Sequence, residues 1–349
     1  GVLEQPATAP AVGPAGRPSA LPPSVRERLL ATLALRPRPV VRFHRNAKVG
    51  LWVSSSFYNY IFGQSANGKK TLTAIDAASN ACYAPTGIKV DHAGNLWVAC
   101  YGGYAPGAVQ EYPRGSKTPS AVFEDAGCAG SGCSFTGYPL DEAFDRNGNV
   151  FATNAFVQYC NPSCEDTGDI AFWSTSAPSA PPALISDPNL LDPYFMDVDN
   201  AGNLYVDGYG CLGSACGYLL DEISNPTTAP AIVNLIAPRT IGYAGGVYVS
   251  NGGTVLNLID QDARTISQYA LPWVTHEQPF NVLGPTPANY FGLGDPVSGG
   301  FNQNDTSQAD ADSDGWIDIG KVSSNRFTAV TNINLNGDDE GAAYVPSDK

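Results

Sequence analysis

The sequence predicts an all-β protein built from repeated antiparallel sheets, and two observations carry this prediction. First, three segments align along the chain, with Gly94, Gly148 and Gly202 spaced 54 residues apart both times. Second, each copy reads as an apolar stretch, an Asp-x-x-Gly-Asn turn and a β-branched or aromatic strand, which is the pattern of a β-hairpin. Repeats of about 40–55 residues with four short strands each predict a six-bladed β-propeller of four-stranded antiparallel blades.

The repeat divides the chain into blades. In the clearest unit, the hairpin over 85–99 precedes two further strand-like runs, Gly107–Tyr112 and Pro119–Phe123, which completes four strands. A propeller closes when one end of the chain adds a strand to the first blade. Two segments qualify, 39–44 and 341–346, and we expect the C-terminal one to close the ring. The predicted blades lie near residues 40–76, 85–124, 139–187, 193–236, 238–271 and 278–345.

A separate N-terminal arm is predicted over residues 1–48, before a propeller over 49–349. The arm has eight basic and two acidic side chains, whereas the whole chain has a net charge of −14. Ser24 and Glu27 form a capping-box pattern at the start of an apolar stripe, which predicts a short helix near 24–35. Because opposite charges attract, we expect this extended arm to dock on its own propeller or on a neighbouring copy. The second arrangement would build a homo-oligomer or a polymer.

Composition excludes several classes of function. A net charge of −14 argues against a nucleic-acid partner, because phosphate contacts need a basic surface. No apolar run of 18 residues occurs, so the sequence predicts no membrane span. The G-x-S-x-G, H-E-x-x-H and P-loop signatures of common hydrolases and nucleotide-binding enzymes are also absent.

The eight cysteines predict disulfides. None of their spacings is CxxC and no histidine lies near enough to complete a zinc set, so an oxidising compartment is the better interpretation. We expect a secreted protein at the bacterial cell exterior or in the periplasm. All eight fall after second strands or in the loops between blades, and hence on one face of the disc. They either fix long loops or present a rigid surface to a protein or glycan ligand. The predicted pairs are Cys82–Cys100, Cys128–Cys133, Cys160–Cys164 and Cys211–Cys216.

One acidic motif predicts a Ca²⁺ site. The segment Asp-Ala-Asp-Ser-Asp-Gly-Trp-Ile-Asp over 310–318 resembles the start of an EF-hand or dockerin-type calcium loop, in which alternate carboxylates converge on one hard cation. Lys321 stands where such loops have a glutamate, so Asp305 or a distant carboxylate would have to complete the ligand set. The alternative is a solvated acidic turn in the last blade. The predicted ligands are Asp310, Asp312, Asp314, the Trp316 carbonyl and Asp318.

The repeat itself, Pro-x-Gly-Ile-x-Val-Asp-x-x-Gly-Asn-Leu-Trp-Val over 85–98, resembles those of NHL-repeat and SMP-30/gluconolactonase-like six-bladed propellers. The lactonase resemblance implies one divalent metal in the central channel, held by a Glu, an Asn and an Asp of inner strands. The predicted first blade, near 40–76, has no glutamate before Leu51, where that family places one, and several inner-strand acids belong to the repeated turn. The candidate ligands are Asp91, Asp141, Glu142, Asp145, Asn154, Asp197, Asp199 and Asp207.

These observations favour a non-enzymatic extracellular protein with a structural or interaction role, self-assembling through its arm into oligomers or filaments. The alternative is a metal-dependent hydrolase like the lactonases. A third hypothesis is a glycan-binding module, because several tyrosines fall in loops and can stack on sugars or pack at interfaces. The sequence leaves the substrate or ligand open.

Overall fold

The computed structural model describes residues 48–344 with gaps at 57, 66–68, 92, 102–106, 125–136, 161–163, 251–252, 261, 264, 274–277, 284–289, 294–299, 307–314, 324–325 and 335–338. This part of the chain forms 24 strands and one short 3₁₀ helix, Ala78–Asn80. The predicted arm over 1–48, with its helix near 24–35, lies outside the described residues apart from Lys48.

The first twelve strands are β1 Leu51–Ser55, β2 Tyr60–Gln64, β3 Thr71–Asp76, β4 Pro85–Val90, β5 Leu96–Cys100, β6 Ala108–Tyr112, β7 Ala121–Glu124, β8 Gly137–Phe144, β9 Asn149–Cys160, β10 Cys164–Ser174, β11 Ala183–Ile185 and β12 Leu190–Val198. The others are β13 Leu204–Leu212, β14 Ala215–Ser224, β15 Ala231–Ile241, β16 Ala244–Ser250, β17 Val255–Asp260, β18 Thr265–Ala270, β19 Asn281–Leu283, β20 Tyr290–Leu293, β21 Gly300–Thr306, β22 Gly315–Ser323, β23 Arg326–Asn334 and β24 Asp339–Tyr344.

These strands pair into six four-stranded sheets, and every pairing is antiparallel. Side chains are described in most strands of five sheets, whereas the sheet β20–β23 and strand β24 are described by their backbone. The first strands β24, β4, β8, β12, β16 and β20 contact one another in a closed ring. The predicted all-β propeller with four-stranded antiparallel blades is therefore confirmed.

The C-terminal strand closes the ring, as the sequence predicts. Strand β24 pairs with β1, with Leu51 opposite Tyr344 and Ser54 opposite Gly341. Two predicted blade boundaries are wrong. Strand β19 pairs with β18 and so belongs to the fifth blade rather than the last, and β15 runs on to Ile241, past the predicted start of the fifth blade at 238. Both are outer strands without the repeat motif, so only the sheet pairing assigns them.

The repeated Asp-x-x-Gly-Asn motif forms the turn between the first and second strands of a blade. In the second blade the Gly94 N–H donates to the Asp91 carbonyl at 3.0 Å and the Asp91 N–H donates to the Asn95 carbonyl at 3.0 Å. Gly94, Gly148 and Gly202 have φ of 85°, 81° and 88°, which glycine adopts without steric cost. The face that carries these turns is called the turn face below, and the opposite one the cysteine face.

Apolar side chains fill the space between neighbouring blades. Trp52 and Ile61 of the first blade pack with Ile88 and Val98 of the second. Phe151 and Ile170 of the third pack with Met196, Val206 and Leu219 of the fourth. Tyr205 points the other way and packs with Val247, Leu256 and Leu258 of the fifth. Alternate residues of one strand thus bury both faces of a sheet.

Candidate functional site

A lysine and three acidic residues meet where the innermost strands line the propeller axis. We call Lys89, Asp141, Glu142 and Asp197 the channel cluster; they lie on β4, β8 and β12. The Lys89 ammonium donates to Asp141 Oδ1 at 2.9 Å, to the Glu142 carbonyl, and to the Met196 carbonyl at 3.2 Å. Because Lys89 belongs to the second blade and Met196 to the fourth, the side chain must cross the inner strand of the third blade on its axial side.

Electrostatic attraction between Lys89 and the three acidic residues stabilises the channel cluster. Burial alone would lower the pKa of Lys89, but the carboxyl groups of Asp141, Glu142 and Asp197 outweigh burial and raise it above its usual value. Asp141 uses both oxygens, since its Oδ2 also accepts the Met196 N–H at 2.9 Å. The Lys89 and Asp141 side chains remain 15% and 9% exposed, so solvent reaches the ion pair.

Asp197 is the cluster's titratable carboxyl group near neutral pH. It occupies the penultimate position of β12, towards the turn face, and is half-buried. Its Oδ1 accepts the Val198 N–H at 2.8 Å and its Oδ2 accepts the Val249 N–H at 2.7 Å. Burial raises the pKa of Asp197 to about 6, although Lys89 and these two N–H donors favour the charged form. A carboxyl group with such a pKa is charged and basic at pH 7.

Asp207 has similar hydrogen bonds in a sealed environment. It lies on β13 and is fully buried, where it accepts the Phe195 N–H at 3.0 Å and the Gly246 N–H at 3.2 Å. Burial raises the pKa of Asp207 well above its usual value. Because both of its oxygens are already hydrogen-bonded and it has no solvent exposure, Asp207 is a structural link between the fourth and fifth blades rather than a group that meets a substrate.

Glu142 occupies a position that is apolar in neighbouring blades. Glu142 lies opposite Ala152 in the third blade. At the equivalent pairs, Ile88 lies opposite Val98 in the second blade and Met196 opposite Val206 in the fourth. Burial raises the pKa of Glu142 well above its usual value, against the opposing charge of Lys89. Its Oε2 accepts the Ala99 N–H at 3.1 Å, and within the described residues its buried Oε1 has no hydrogen-bond partner.

Two small residues make room for this glutamate. A Cβ atom on Gly87 would lie 2.6 Å from Glu142 Oε2 and 2.6 Å from Asp141 Oδ1. Ala99 lies near the end of the second strand of its blade, at the position where the first and third blades carry Ser54 and Thr153. The hydroxyls of those two residues donate to carbonyls of the following blade, Thr86 and Tyr194. In the second blade the side chain of the contact comes from the following blade instead: the Glu142 carboxyl group accepts the Ala99 N–H.

The remaining acids of the predicted metal set have local roles. Asp91, Asp145 and Asp199 each accept a backbone N–H four residues further on, at 2.8, 2.9 and 2.9 Å, and thereby hold the repeated turn. Asn154 is buried and donates to Asp169 Oδ1 at 2.7 Å. The structure thus brings together Asp141, Glu142 and Asp197 but leaves the turn aspartates at the rim. Lys89, which sequence analysis missed, completes the cluster.

A divalent metal does not fit the channel cluster. The Lys89 ammonium already lies between the Asp141 carboxylate and the Glu142 and Met196 carbonyls, and both Asp197 oxygens accept backbone N–H groups. Among the described residues, no three His, Cys, Asp or Glu side chains are grouped so as to hold a metal. The metal set that the lactonase resemblance implies is therefore wrong for this part of the chain, because an internal cation replaces it.

The predicted calcium loop falls between strands β21 and β22. Thr306 and Gly315 are paired across this connection, and Asp310, Asp312 and Asp314 lie outside the described residues. Trp316 and Asp318 lie in the first half of β22, but their side chains also lie outside the described part. The Ca²⁺ site stays a prediction.

Two of the predicted disulfides are present on the cysteine face. Cys82 is bonded to Cys100, and Cys211 to Cys216. Cys160 at the end of β9 and Cys164 at the start of β10 are backbone partners, but their side chains lie outside the described part. Cys128 and Cys133 lie outside it altogether, so these two pairs stay predictions. The two observed bonds are consistent with an extracellular or periplasmic protein. Among the described residues, no helix is long and apolar enough to cross a membrane.

Tyrosines gather on the cysteine face of the fourth and fifth blades. The Tyr218 ring centroid lies 4.6 Å from that of Tyr243, 5.6 Å from Tyr209 and 6.1 Å from Tyr194. Tyr194 is buried, whereas the other three are half-buried. These four residues are called the tyrosine patch below.

Several solved structures are similar to this chain. A hypothetical selenium-binding protein from Sulfolobus tokodaii has a TM-score of 0.55 and 10% identity, covering 91% of this chain and 82% of that one. The periplasmic gluconolactonase PpgL from Pseudomonas aeruginosa has a TM-score of 0.50 and 13% identity, covering 86% and 82%. A luciferin-regenerating enzyme has a TM-score of 0.52 and 13% identity, covering 86% and 97%. No protein-family model and no curated protein sequence matches the chain.

At these identities the likeness shows the fold. It confirms the resemblance to gluconolactonase-like propellers at that level, while the NHL-repeat resemblance is not shown. The expectation of a non-enzymatic protein is corrected here, because two of the matched propellers are named as enzymes. The sequence repeat could not indicate enzymatic activity, because the positions that recur in it are turn and packing residues that any such blade needs.

Proposed function

We propose that the protein is a hydrolase that opens small cyclic esters, or lactones, in the propeller channel without a metal ion. The observation that carries the proposal is the position of Asp197: a half-buried carboxyl group whose pKa is about 6, close enough to Lys89 for their charges to interact. The name of the similar periplasmic gluconolactonase supports a lactone as the substrate class.

Asp197 acts as the general base in this proposal. Its carboxylate takes a proton from a water molecule, and the water oxygen attacks the lactone carbonyl carbon. The resulting oxyanion collapses, the ring C–O bond breaks, and Asp197 returns the proton to the departing ring oxygen. The product is the open hydroxy acid, so the atoms of lactone and water are all accounted for. General base catalysis of this kind contributes about 10²–10⁴-fold.

Lys89 contributes its charge. Its three N–H donors are already used by Asp141 and two carbonyls, so it does not have to bind the substrate directly. Its positive charge lies in a partly buried site, where electrostatic interactions are stronger than in water. It therefore stabilises the negative charge that develops on the substrate oxygen, and it holds Asp141 in place.

The test is lactone hydrolysis measured by acid release in a pH-stat, with glucono-δ-lactone as the first substrate. The variant Asp197→Asn keeps one acceptor oxygen but cannot take a proton, and should lower kcat by about 10²-fold or more. Asp207→Asn is the matched control, because Asp207 also accepts two backbone N–H groups but is sealed from solvent. Activity should survive chelation of divalent metals. Equal activity in wild type and Asp197→Asn would overturn the proposal.

Three further proposals concern the rest of the chain. The two disulfides support a site of action outside the cell or in the periplasm. The basic arm over 1–48 supports homo-oligomer formation against the acidic propeller. The D-x-D-x-D-G motif at 310–315 supports Ca²⁺ binding in the last blade. Apart from Lys48 and Gly315, the arm and the motif lie outside the described residues, and each of these two proposals rests on its sequence pattern.

A further inference from the structure

The tyrosine patch is a rigid surface. Tyr209 and Tyr218 face each other on the hairpin β13–β14, two pairs from its disulfide-bonded end, Cys211 and Cys216. Arg239 Nε also donates to the Cys216 carbonyl at 3.1 Å, which ties the end of the hairpin to β15. A hairpin fixed at its tip presents both tyrosines with little conformational freedom left to lose on binding.

The patch presents both ring faces and hydroxyl groups. The Tyr218 and Tyr243 ring centroids lie 4.6 Å apart. The hydroxyl of Tyr194 is fully buried and, among the described residues, has no hydrogen-bond partner. Buried polar groups in folded proteins are nearly always satisfied by protein, water or ligand. An unpartnered hydroxyl in a cluster with three half-buried rings therefore points to an external partner at this position.

The charges around the patch are mostly negative. Asp192 and Asp207 act on the Tyr194 hydroxyl, and burial together with these charges raises the pKa of Tyr194 well above its usual value. Asp262 acts on Tyr218, while Arg239 is the cation that acts on Tyr209. Phosphorylated or carboxylated ligands would be repelled by this excess of carboxylates. Carboxylate and phenol oxygens are suitable acceptors for the hydroxyl groups of a neutral ligand.

We propose that Tyr194, Tyr209, Tyr218 and Tyr243 form a binding site for a neutral saccharide ring. The half-buried tyrosine rings stack on the C–H faces of the sugar, as aromatic side chains do in many ligand sites. The Tyr194 hydroxyl bonds a sugar hydroxyl and thereby gains its missing partner. This site lies on the cysteine face, whereas Asp197 lies towards the turn face, so the inference does not rest on the proposed hydrolysis.

The test is binding, measured on the full-length protein. Saturation-transfer difference NMR would use glucose, galactose, mannose and N-acetylglucosamine as neutral probes, with glucose 6-phosphate and glucuronate as anionic probes. We expect at least one neutral sugar to bind with a Kd in the millimolar range and the anionic probes to bind at least tenfold more weakly. Failure of every neutral sugar to bind, or equal binding of an anionic probe, would overturn the proposal.

Conservative variants locate the site. Tyr194→Phe removes only the unpartnered hydroxyl and should weaken sugar binding about tenfold, the effect of one lost hydrogen bond. Tyr205→Phe is the matched control, because Tyr205 is a buried tyrosine of the same blade whose hydroxyl donates to Asp199 Oδ2 at 3.2 Å on the turn face. Tyr243→Phe provides a second test that keeps the ring. Unchanged affinity in both patch variants would show that the tyrosines are only core packing.

Discussion

The Lys89 ammonium lies 2.9 Å from Asp141 Oδ1 and joins three blades, since it also reaches the Met196 carbonyl at 3.2 Å. The positive charge of Lys89 thus takes the place of a bound cation at the axis of the propeller. The arrangement explains why the carboxylates of the channel cluster need no metal ion to offset their charge. It also makes Lys89 a cross-link between the inner strands of three blades.

Replacing Lys89 by methionine should destabilise the protein by about 3 kcal/mol. Removing one partner of a buried ion pair leaves the other charge uncompensated, which costs about 3–5 kcal/mol, and the residual exposure of this pair reduces that figure. Urea denaturation measures the effect. Lys117→Met is the control, because Lys117 is exposed and its loss should change stability by less than about 0.5 kcal/mol. Equal losses in the two variants would show that Lys89 is not a structural cation.

Glu142 should tolerate glutamine but not methionine. Glu142→Gln keeps an acceptor for the Ala99 N–H and carries no charge into the buried site, so we expect a change below about 1 kcal/mol. Glu142→Met introduces the residue found at the equivalent position of the fourth blade, yet leaves the Ala99 N–H without its acceptor, at a cost of about 1–3 kcal/mol. A methionine variant as stable as wild type in urea denaturation would contradict this role for Glu142.

Stability should fall as the pH rises because of Asp221. Burial raises the pKa of Asp221 to about 8, with the neighbouring Asp187 carboxyl adding to it, whereas the unfolded value is near 3.8. The folded state therefore holds this proton more tightly, and its contribution to stability is complete below about pH 4 and lost as the pH rises through about 8.

The variant Asp221→Asn removes this dependence while keeping an oxygen for the Asn234 amide, which donates to Asp221 Oδ1 at 2.8 Å. Its unfolding free energy should vary less with pH than that of wild type and should exceed it above about pH 8. Asp262→Asn, at an exposed aspartate, serves as the control. Parallel pH profiles for wild type and Asp221→Asn would refute the assignment.

The Cys82–Cys100 disulfide should stabilise the protein more than Cys211–Cys216. The first closes a separation of 18 residues and the second one of 5, and longer loops lose more entropy on cross-linking. Replacing each pair by serine should cost about 1 kcal/mol more for the first pair, as measured by denaturation of both double variants. The reverse order would mean that native packing of the β13–β14 hairpin outweighs loop closure.

Calcium should raise the melting temperature if the loop over 310–318 binds it. At a calcium concentration about a hundredfold above Kd, binding should raise Tm by about 5 °C. Asp312→Asn removes one predicted ligand and should abolish the shift, whereas Asp145→Asn, at a turn aspartate, should lower Tm without changing the response to calcium. No calcium shift in wild type would reject the predicted site.

The parts of the fold that the sequence predicts are those with local causes. The turn at Asp91–Asn95 follows from an aspartate and a glycine that satisfy the backbone within five residues. The channel cluster depends instead on ring closure, which brings together Lys89 and Met196 from positions 107 residues apart. One signal was available, since Glu142 puts a charge where the other aligned repeats have Ile88 and Met196.

The pH dependence of lactone hydrolysis tests the central claim most directly. If Asp197 is the general base, kcat/KM should rise with pH through about 6 and level off above it, because the carboxylate must be ionised to accept a proton. Wild type and Asp207→Asn should share this profile, and Asp197→Asn should show neither the rise nor more than about a hundredth of the plateau. A profile with the same midpoint in Asp197→Asn, or no hydrolysis by wild type at any pH, would contradict the account.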